Sequence, residues 1–155
     1  MLTLKEQMDV ARETYSWMTP HQLTVYESGP IANCTDDEAM GWREYVKSKA
    51  PEIKWLDPMV RDCRHVQHLS QEQTNWIVTG DKADIDASDA LLVYAPFPSC
   101  GTSMEVMYAY GRKPIITVVP PGAFLSPWLD YHSTSIYDDL NIAISWFKNW
   151  AECYG

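Results

Sequence analysis

Ser88-Asp89-Ala90-Leu91-Leu92-Val93-Tyr94-Ala95-Pro96-Phe97-Pro98-Ser99-Cys100-Gly101-Thr102-Ser103-Met104-Glu105 is the stretch on which the fold turns. Ala90 to Ala95 is a continuous apolar run with no polar alternation. A strand of that kind is buried on both faces, which is the mark of a parallel sheet. Pro114 to Val119 is a second such run, and Gly101 to Gly111 between them has the length of a helical crossover. Two parallel strands need such a crossover, so the segment predicts a βαβ unit.

The rest of the chain extends this pattern in both directions. Leu4, Met8, Ala11, Tyr15 and Met18 predict an amphipathic helix over residues 3 to 18 that Thr19-Pro20 ends. Gln22 to Tyr26 is a short β-prone run, broken at Glu27-Ser28-Gly29-Pro30. Asp36 to Lys49 reads as a helix, with Thr35 and Glu38 in a capping-box pattern. Ile53 to Leu56 predicts a short strand, and Met59 to Leu69 a loop that turns helical near its end. Ser70 to Ala87 predicts a helix carrying Trp76, Ile77, Ala83 and Ile85. Beyond the second buried strand come a short helix at Ser126 to Tyr131, an edge strand at Ser135 to Tyr137 and a closing helix from Asp138 to Trp150. The alternation predicts an α/β three-layer sandwich, with a flavodoxin- or Rossmann-like parallel sheet of about five strands flanked by helices.

Composition bounds the function. A length of 155 residues fits a single domain spanning 1–155, and 46% hydrophobic residues suffice for a core. The formal charge of −9 disfavours a sequence-independent nucleic-acid binder, which needs a basic surface. It leaves room for a small phosphorylated ligand, since one helix N-terminus binds a phosphate whatever the global charge. Cys34, Cys63, Cys100 and Cys153 form no CxxC pair and suit neither a zinc ribbon nor a disulfide framework. Free thiols and a cytoplasmic location are the expectation. The amphipathic N-terminus lacks the apolar core of a signal peptide, and no apolar run is long enough to cross a bilayer.

The chemistry also lies in the opening stretch. In open α/β sheets ligands bind beyond the carboxyl ends of the strands, which places Ser99 through Glu105 at the expected ligand position. Gly101 permits close backbone approach, and the exposed N–H groups at the helix start favour an anion. They are expected to keep Glu105 ionised, as a nucleophilic carboxylate requires. From the chemistry alone Glu105 is either that nucleophile or a partner of the helix dipole.

Four pieces in order resemble the nucleoside 2-deoxyribosyltransferase family and the related 2'-deoxynucleoside 5'-phosphate N-hydrolases. They are Val25-Tyr26-Glu27-Ser28-Gly29-Pro30-Ile31, Asp81 through Asp89, Ser99 through Glu105 with Tyr108 to Ile115, and Leu125-Ser126-Pro127-Trp128. The resemblance runs from about Val25 to Ser126. It implies that Glu105 attacks the anomeric carbon, that Tyr26 orients it, and that Asp81 binds substrate and protonates the departing base. The result is a glycosyl ester resolved by water or a second base, with no metal and no other cofactor. Gly29 belongs to the matching glycine loop. Asp89 is expected to be structural, tying neighbouring loops.

Ser99 stands where family members acting on free nucleosides carry an acidic residue, and a hydroxyl there suits a 5'-phosphate. Ser126 resembles a second phosphate-contacting serine supplied by a neighbouring subunit, so a homodimer or higher oligomer with shared sites is implied. Trp128 beside it is expected to stack on a base or line the subunit contact. Both serines have an alternative reading as turn or cap residues. Glu27 departs from the family pattern and is unfavourable near a phosphate unless it points away. Within Asp57 to His68, Asp57 or Asp62 and Arg61 or Arg64 are candidates for reading the base, against the alternative of a solvated loop. A Cys63-His65-His68 metal cluster lacks a fourth ligand. Cys100 is expected to be a small buried filler, and Trp42, Trp55, Trp76, Trp146 and Trp150 core or interface residues. The expected reaction is release of the base from a 2'-deoxynucleoside or its 5'-monophosphate. The alternatives are base exchange between free deoxynucleosides and a non-catalytic nucleotide sensor.

Overall fold

The computed structural model describes residues 21–154, so the helix expected over 3–18 lies outside the described residues. Five strands among them form one sheet: β1 (Thr24–Ser28), β2 (Lys54–Leu56), β3 (Ala90–Tyr94), β4 (Ile115–Val118) and β5 (Ser135–Tyr137). Their order is β2-β1-β3-β4-β5, and every pairing is parallel. The chain therefore reverses its winding between β1 and β3, where Tyr26 lies opposite Leu91 and Ser28 opposite Val93. At such a switch point the loops diverge and leave a crevice.

Helices cover both faces. A π-helical turn, Asp37–Gly41, runs into α1 (Trp42–Lys49), followed in sequence by α2 (Gln71–Ala87), α3 (Cys100–Ala109), α4 (Pro127–His132) and α5 (Leu140–Tyr154). Trp42 and Val46 of α1 and Ala143, Ile144 and Phe147 of α5 pack on Val25, Leu92, Ile116 and Val118. On the opposite face Ile85 of α2, Val106 and Ala109 of α3 and Leu129 of α4 pack on Tyr26, Leu91, Val93 and Ile115. The period-2 alternation of a strand separates these two cores. Burial of a side chain such as Phe147, which is wholly enclosed, contributes about 2–3 kcal/mol.

Local chemistry sets the element ends. Thr35 and Glu38 bond reciprocally as the capping pattern predicts, with Thr35 N donating to the Glu38 carboxylate at 2.8 Å and Glu38 N donating to Thr35 Oγ1 at 3.3 Å. Ser70 and Gln73 make the same box at the start of α2. Lys113 donates to the carbonyls of Asp86 and Ser88, placing a cation at the C-terminus of α2. Asp89 ties the start of β1, accepting from Thr24 N at 2.8 Å, which is the structural role expected of it.

Expectations change at four places. β1 runs on through Glu27 and Ser28, where a break was expected, because both pair in register with β3. The 57–69 segment is helical at its beginning rather than its end: a 3-10 turn spans Pro58–Arg61. Asp57 accepts from Met59 N at 2.9 Å and Pro58 fixes φ for the first turn, which is why the turn forms there. Trp76, expected in the core or at an interface, is 52% exposed and is therefore not a core residue. Ala83 also faces outward, because the inner face of α2 follows Gln73, Ile77, Gly80, Asp81, Asp84 and Ile85. Cys100, expected to be buried, is the exposed first residue of α3.

Candidate active site

The site begins with the alternation of β1. Tyr26 and Ser28 project toward α3, and both donate to Glu105: Tyr26 Oη reaches Oε1 at 2.9 Å and Ser28 Oγ bonds Oε2. Each carboxylate oxygen therefore has its own hydroxyl donor, and the carboxylate is held in one orientation. The two serine and tyrosine hydroxyls come from strand positions two apart, the spacing that puts side chains on one face. Burial pushes the Tyr26 phenol far up, reinforced by the nearby Glu105 and Asp81 charges, so it remains a donor.

Glu105 itself is not held in the low range expected from the helix N-terminus. It is the sixth residue of α3, past the first turn where that field acts. Burial pushes its carboxyl up to about 7, while the Ser28 and Tyr26 hydrogen bonds oppose the rise. The correction follows from depth: desolvation of the charged form outweighs two hydroxyl donors.

A cavity of about 240 Å³ opens over this carboxylate, lined in part by Gly29, Arg61, Ser99, Gly101, Asp81 and Glu105. A larger one of about 520 Å³ between α2 and α3 shares Ile77, Asp81, Gly101 and Glu105 with it. The two carboxylates thus stand where both cavities meet. Burial raises the Asp81 carboxyl above its ordinary range, against Arg61, which lowers it. Asp81 Oδ1 accepts from Arg61 Nε at 3.0 Å.

The start of α3 forms another wall. Ser99 caps the helix, its Oγ accepting from Thr102 N at 3.4 Å, and it also lines the cavity. A Cβ on Gly101 would meet nothing within 4 Å, so its backbone faces open space. Thr102, which the sequence reading did not single out, is buried, and its Oγ1 has no hydrogen-bond partner. Gly29 is required for packing: a Cβ there would come within 2.7 Å of the Trp42 ring and 3.1 Å of the Tyr94 carbonyl.

Other expected site residues lie elsewhere. The Asp57 carboxylate is taken up by Lys47, by Arg43 Nε at 3.4 Å and by Met59 N, and Asp57 is not among the residues lining the cavity. Arg64 does line it, but its guanidinium is stapled to Asp62, Asp36 and the Cys34 carbonyl, so the start of this loop is pinned. Ser126 caps α4, accepting from Trp128 N at 3.3 Å, and Trp128 stacks on His132; neither reaches the cavity of its own chain. Glu27 points to the opposite face of the sheet, toward Lys47 and Arg43. Ser28 was missed because a serine beside a glycine reads as turn chemistry; only its strand register reveals it as a donor to Glu105. Among the described residues no group of His, Cys, Asp and Glu side chains is placed to hold a metal ion. Nor is any helix among them long and apolar enough to cross a membrane.

No family model matches the chain. No curated protein matches it either. Solved structures do. A conserved protein from Enterococcus faecalis V583 superposes with a TM-score of 0.66 at 12% identity, over 83% of this chain and 99% of that one. A 2-deoxyribosyltransferase from the psychrotolerant bacterium Bacillus psychrosaccharolyticus gives a TM-score of 0.64 at 18% identity, over 78% of this chain and 90% of that one. At these identities the likeness is one of architecture, and the chain has the fold of a bacterial 2-deoxyribosyltransferase.

Proposed function

We propose that the chain cleaves the N-glycosidic bond of a 2'-deoxynucleoside 5'-monophosphate or 2'-deoxynucleoside and releases the free base. The observation that carries this reading is the Glu105 carboxylate, oriented by Tyr26 and Ser28 at the junction of two cavities that Asp81 also lines. The resemblance of the motifs around these residues, and the shared fold with a 2-deoxyribosyltransferase, support the same chemistry.

Glu105 attacks the anomeric carbon as the C–N bond breaks, and the bonding pair of that bond leaves with the base. Asp81 gives the base its proton, a task suited to a carboxyl whose pKa burial raises. The sugar is then an ester of Glu105. Asp81, now a carboxylate, takes a proton from water as the water oxygen attacks the anomeric carbon, and Glu105 leaves with its electron pair restored. The Tyr26 and Ser28 hydrogen bonds strengthen on a carboxylate and weaken on an ester, so they also assist that second departure.

The start of α3 supports a 5'-phosphate: Gly101 is open, and Ser99 rather than a carboxylate lines the wall. The position of Glu27 on the far side of the sheet removes the acidic residue that spoke against a phosphate. Incubating the protein with deoxynucleoside monophosphates and chromatographing for free base tests the reading. Base release without an acceptor supports hydrolysis; turnover that requires an acceptor base and a free nucleoside supports base exchange. Release undiminished in Glu105→Gln overturns the mechanism, and a protein that binds nucleotide without turnover is a sensor.

The shared site is part of the proposal. Met104, Trp128 and Tyr131, on α3 and α4, are 66%, 68% and 72% exposed, an apolar face of the kind a second copy covers. Sedimentation velocity is expected to show a dimer that Trp128→Glu dissociates; a monomer in the unmodified protein overturns this part.

A further inference from the structure

One cationic side chain at the site is held in a manner its sequence does not suggest. Arg61 leaves the 3-10 turn and lies across α2, its Nε and Nη2 on Asp81 at 3.0 and 2.9 Å and its Nη2 also on Asp84. Asp81 and Asp84 are three apart on the inner face of the helix, so one guanidinium spans both. Gly80 stands on the same inner face, immediately before Asp81 and one turn before Asp84. A Cβ there would lie 2.6 Å from Arg61 Cδ, 2.7 Å from Nε and 3.0 Å from Cζ. A glycine inside a seventeen-residue helix is disfavoured relative to alanine, and at this position the missing Cβ is the floor of the guanidinium's bed.

We propose that Gly80 and Asp84 are positioning residues for Asp81, acting through Arg61: Gly80 leaves the space in which the guanidinium lies, and Asp84 fastens its far end. This rests on the reading of Asp81 as proton donor to the departing base. Arg61 holds one Asp81 oxygen, which fixes the carboxyl and leaves the other oxygen to carry the proton. A guanidinium spent on two carboxylates is a clamp first; reading a base carbonyl is left to its remaining N–H groups.

Gly80→Ala changes no charge and adds a favourable helix former, so the protein folds while Arg61 is lifted from its bed. The Arg61 Nε–H resonance, protected in the unmodified protein, is expected to disappear in Gly80→Ala and in Asp84→Asn. The Asp81 carboxyl, followed by carbon-13 NMR, is expected to titrate higher in Gly80→Ala, since the clamp lowers its pKa. Base release at the pH optimum falls by about tenfold, within the coupling found between touching residues. The basic limb of its pH profile moves up with Asp81, because a proton donor is lost above its pKa. In an Arg61→Ala background Gly80→Ala adds nothing further. An unchanged Asp81 titration, a persisting Arg61 resonance in Asp84→Asn, or an equal Gly80→Ala effect without Arg61 overturns the proposal. If the unmodified protein releases no base, the functional reading fails, and the two resonances still decide the clamp.

Discussion

Strand β1 places one glutamate cluster on each face of the sheet, and the two clusters differ in what surrounds them. Toward α3, Tyr26 and Ser28 present neutral hydroxyls to Glu105, and the cavity opens above it. Toward α1, Glu27 is fully enclosed, with Lys47 Nζ at 3.3 Å and the buried Arg43 nearby, and Asp57 completes the group. Arg43 donates to the Ala39 and Gly29 carbonyls, so it also fastens the loop after β1. A carboxylate held by neutral donors next to open space keeps an uncompensated charge for a substrate. One sealed in the interior, with Lys47 and Arg43 near but neither oxygen hydrogen-bonded, is pushed toward its neutral form and is closed to a substrate. Adjacent residues of one strand thus have opposite roles because their side chains leave the sheet on opposite sides.

The largest test of this contrast is Glu105→Gln, which keeps shape and removes the proposed nucleophile. Base release is expected to fall by about 10³-fold or more, with the thermal midpoint unchanged or raised. Glu27→Gln in the same assay is expected to retain activity, and comparable losses in both variants would break the comparison. Next in size is Arg43→Met, which leaves Asp57 without that partner in a buried cluster. A loss of about 3–5 kcal/mol in urea unfolding is expected; a loss under about 1 kcal/mol would show the cluster to be dispensable.

Glu27→Gln also has a stability signature. Burial, with Asp57 reinforcing it, pushes the Glu27 carboxyl up to about 8, against Lys47 and Arg43. Between the unfolded carboxyl range near 4.5 and about 8 the folded state binds the extra proton, so this group's contribution to stability declines as pH rises through that window. Glu27→Gln is expected to flatten the decline by roughly 1–2 kcal/mol between pH 5 and 9, after allowance for Lys47. The smallest effect is on the other face. In the proposed mechanism Glu105 attacks as a carboxylate, so the acidic limb of activity is expected near pH 7. Ser28→Ala removes the donor that most lowers this pKa and moves the limb upward by about one pH unit. A limb that stays in place would mean that Ser28 does not hold the reacting carboxylate.

The regular elements were legible where a single local rule governed them. The apolar runs at Ala90 and Pro114 marked buried parallel strands, and Thr35 and Ser70 marked helix starts. Positions governed by register or by contacts distant in sequence were not legible. Trp76 has the hydrophobicity of a core residue, yet lies one position off the inner stripe of α2. Cys100 is small and apolar but opens a helix into solvent. Asp57 sat among candidate base readers, and a turn with Lys47 and Arg43 claims it instead.

The sequence by itself determined the α/β alternation and the parallel character of the sheet, because hydrophobic period and capping act over a few residues at a time, while Tyr26, Asp81 and Glu105 became candidates through the family that the motifs around them resemble. Only the tertiary structure decided which of the two acids faces a cavity and which is sealed in the core. Glu27 and Glu105 are both buried carboxylates with raised pKa values, and the difference lies in partners drawn from distant segments. Those partners set both the desolvation and the neighbouring charges, which a linear chain leaves open.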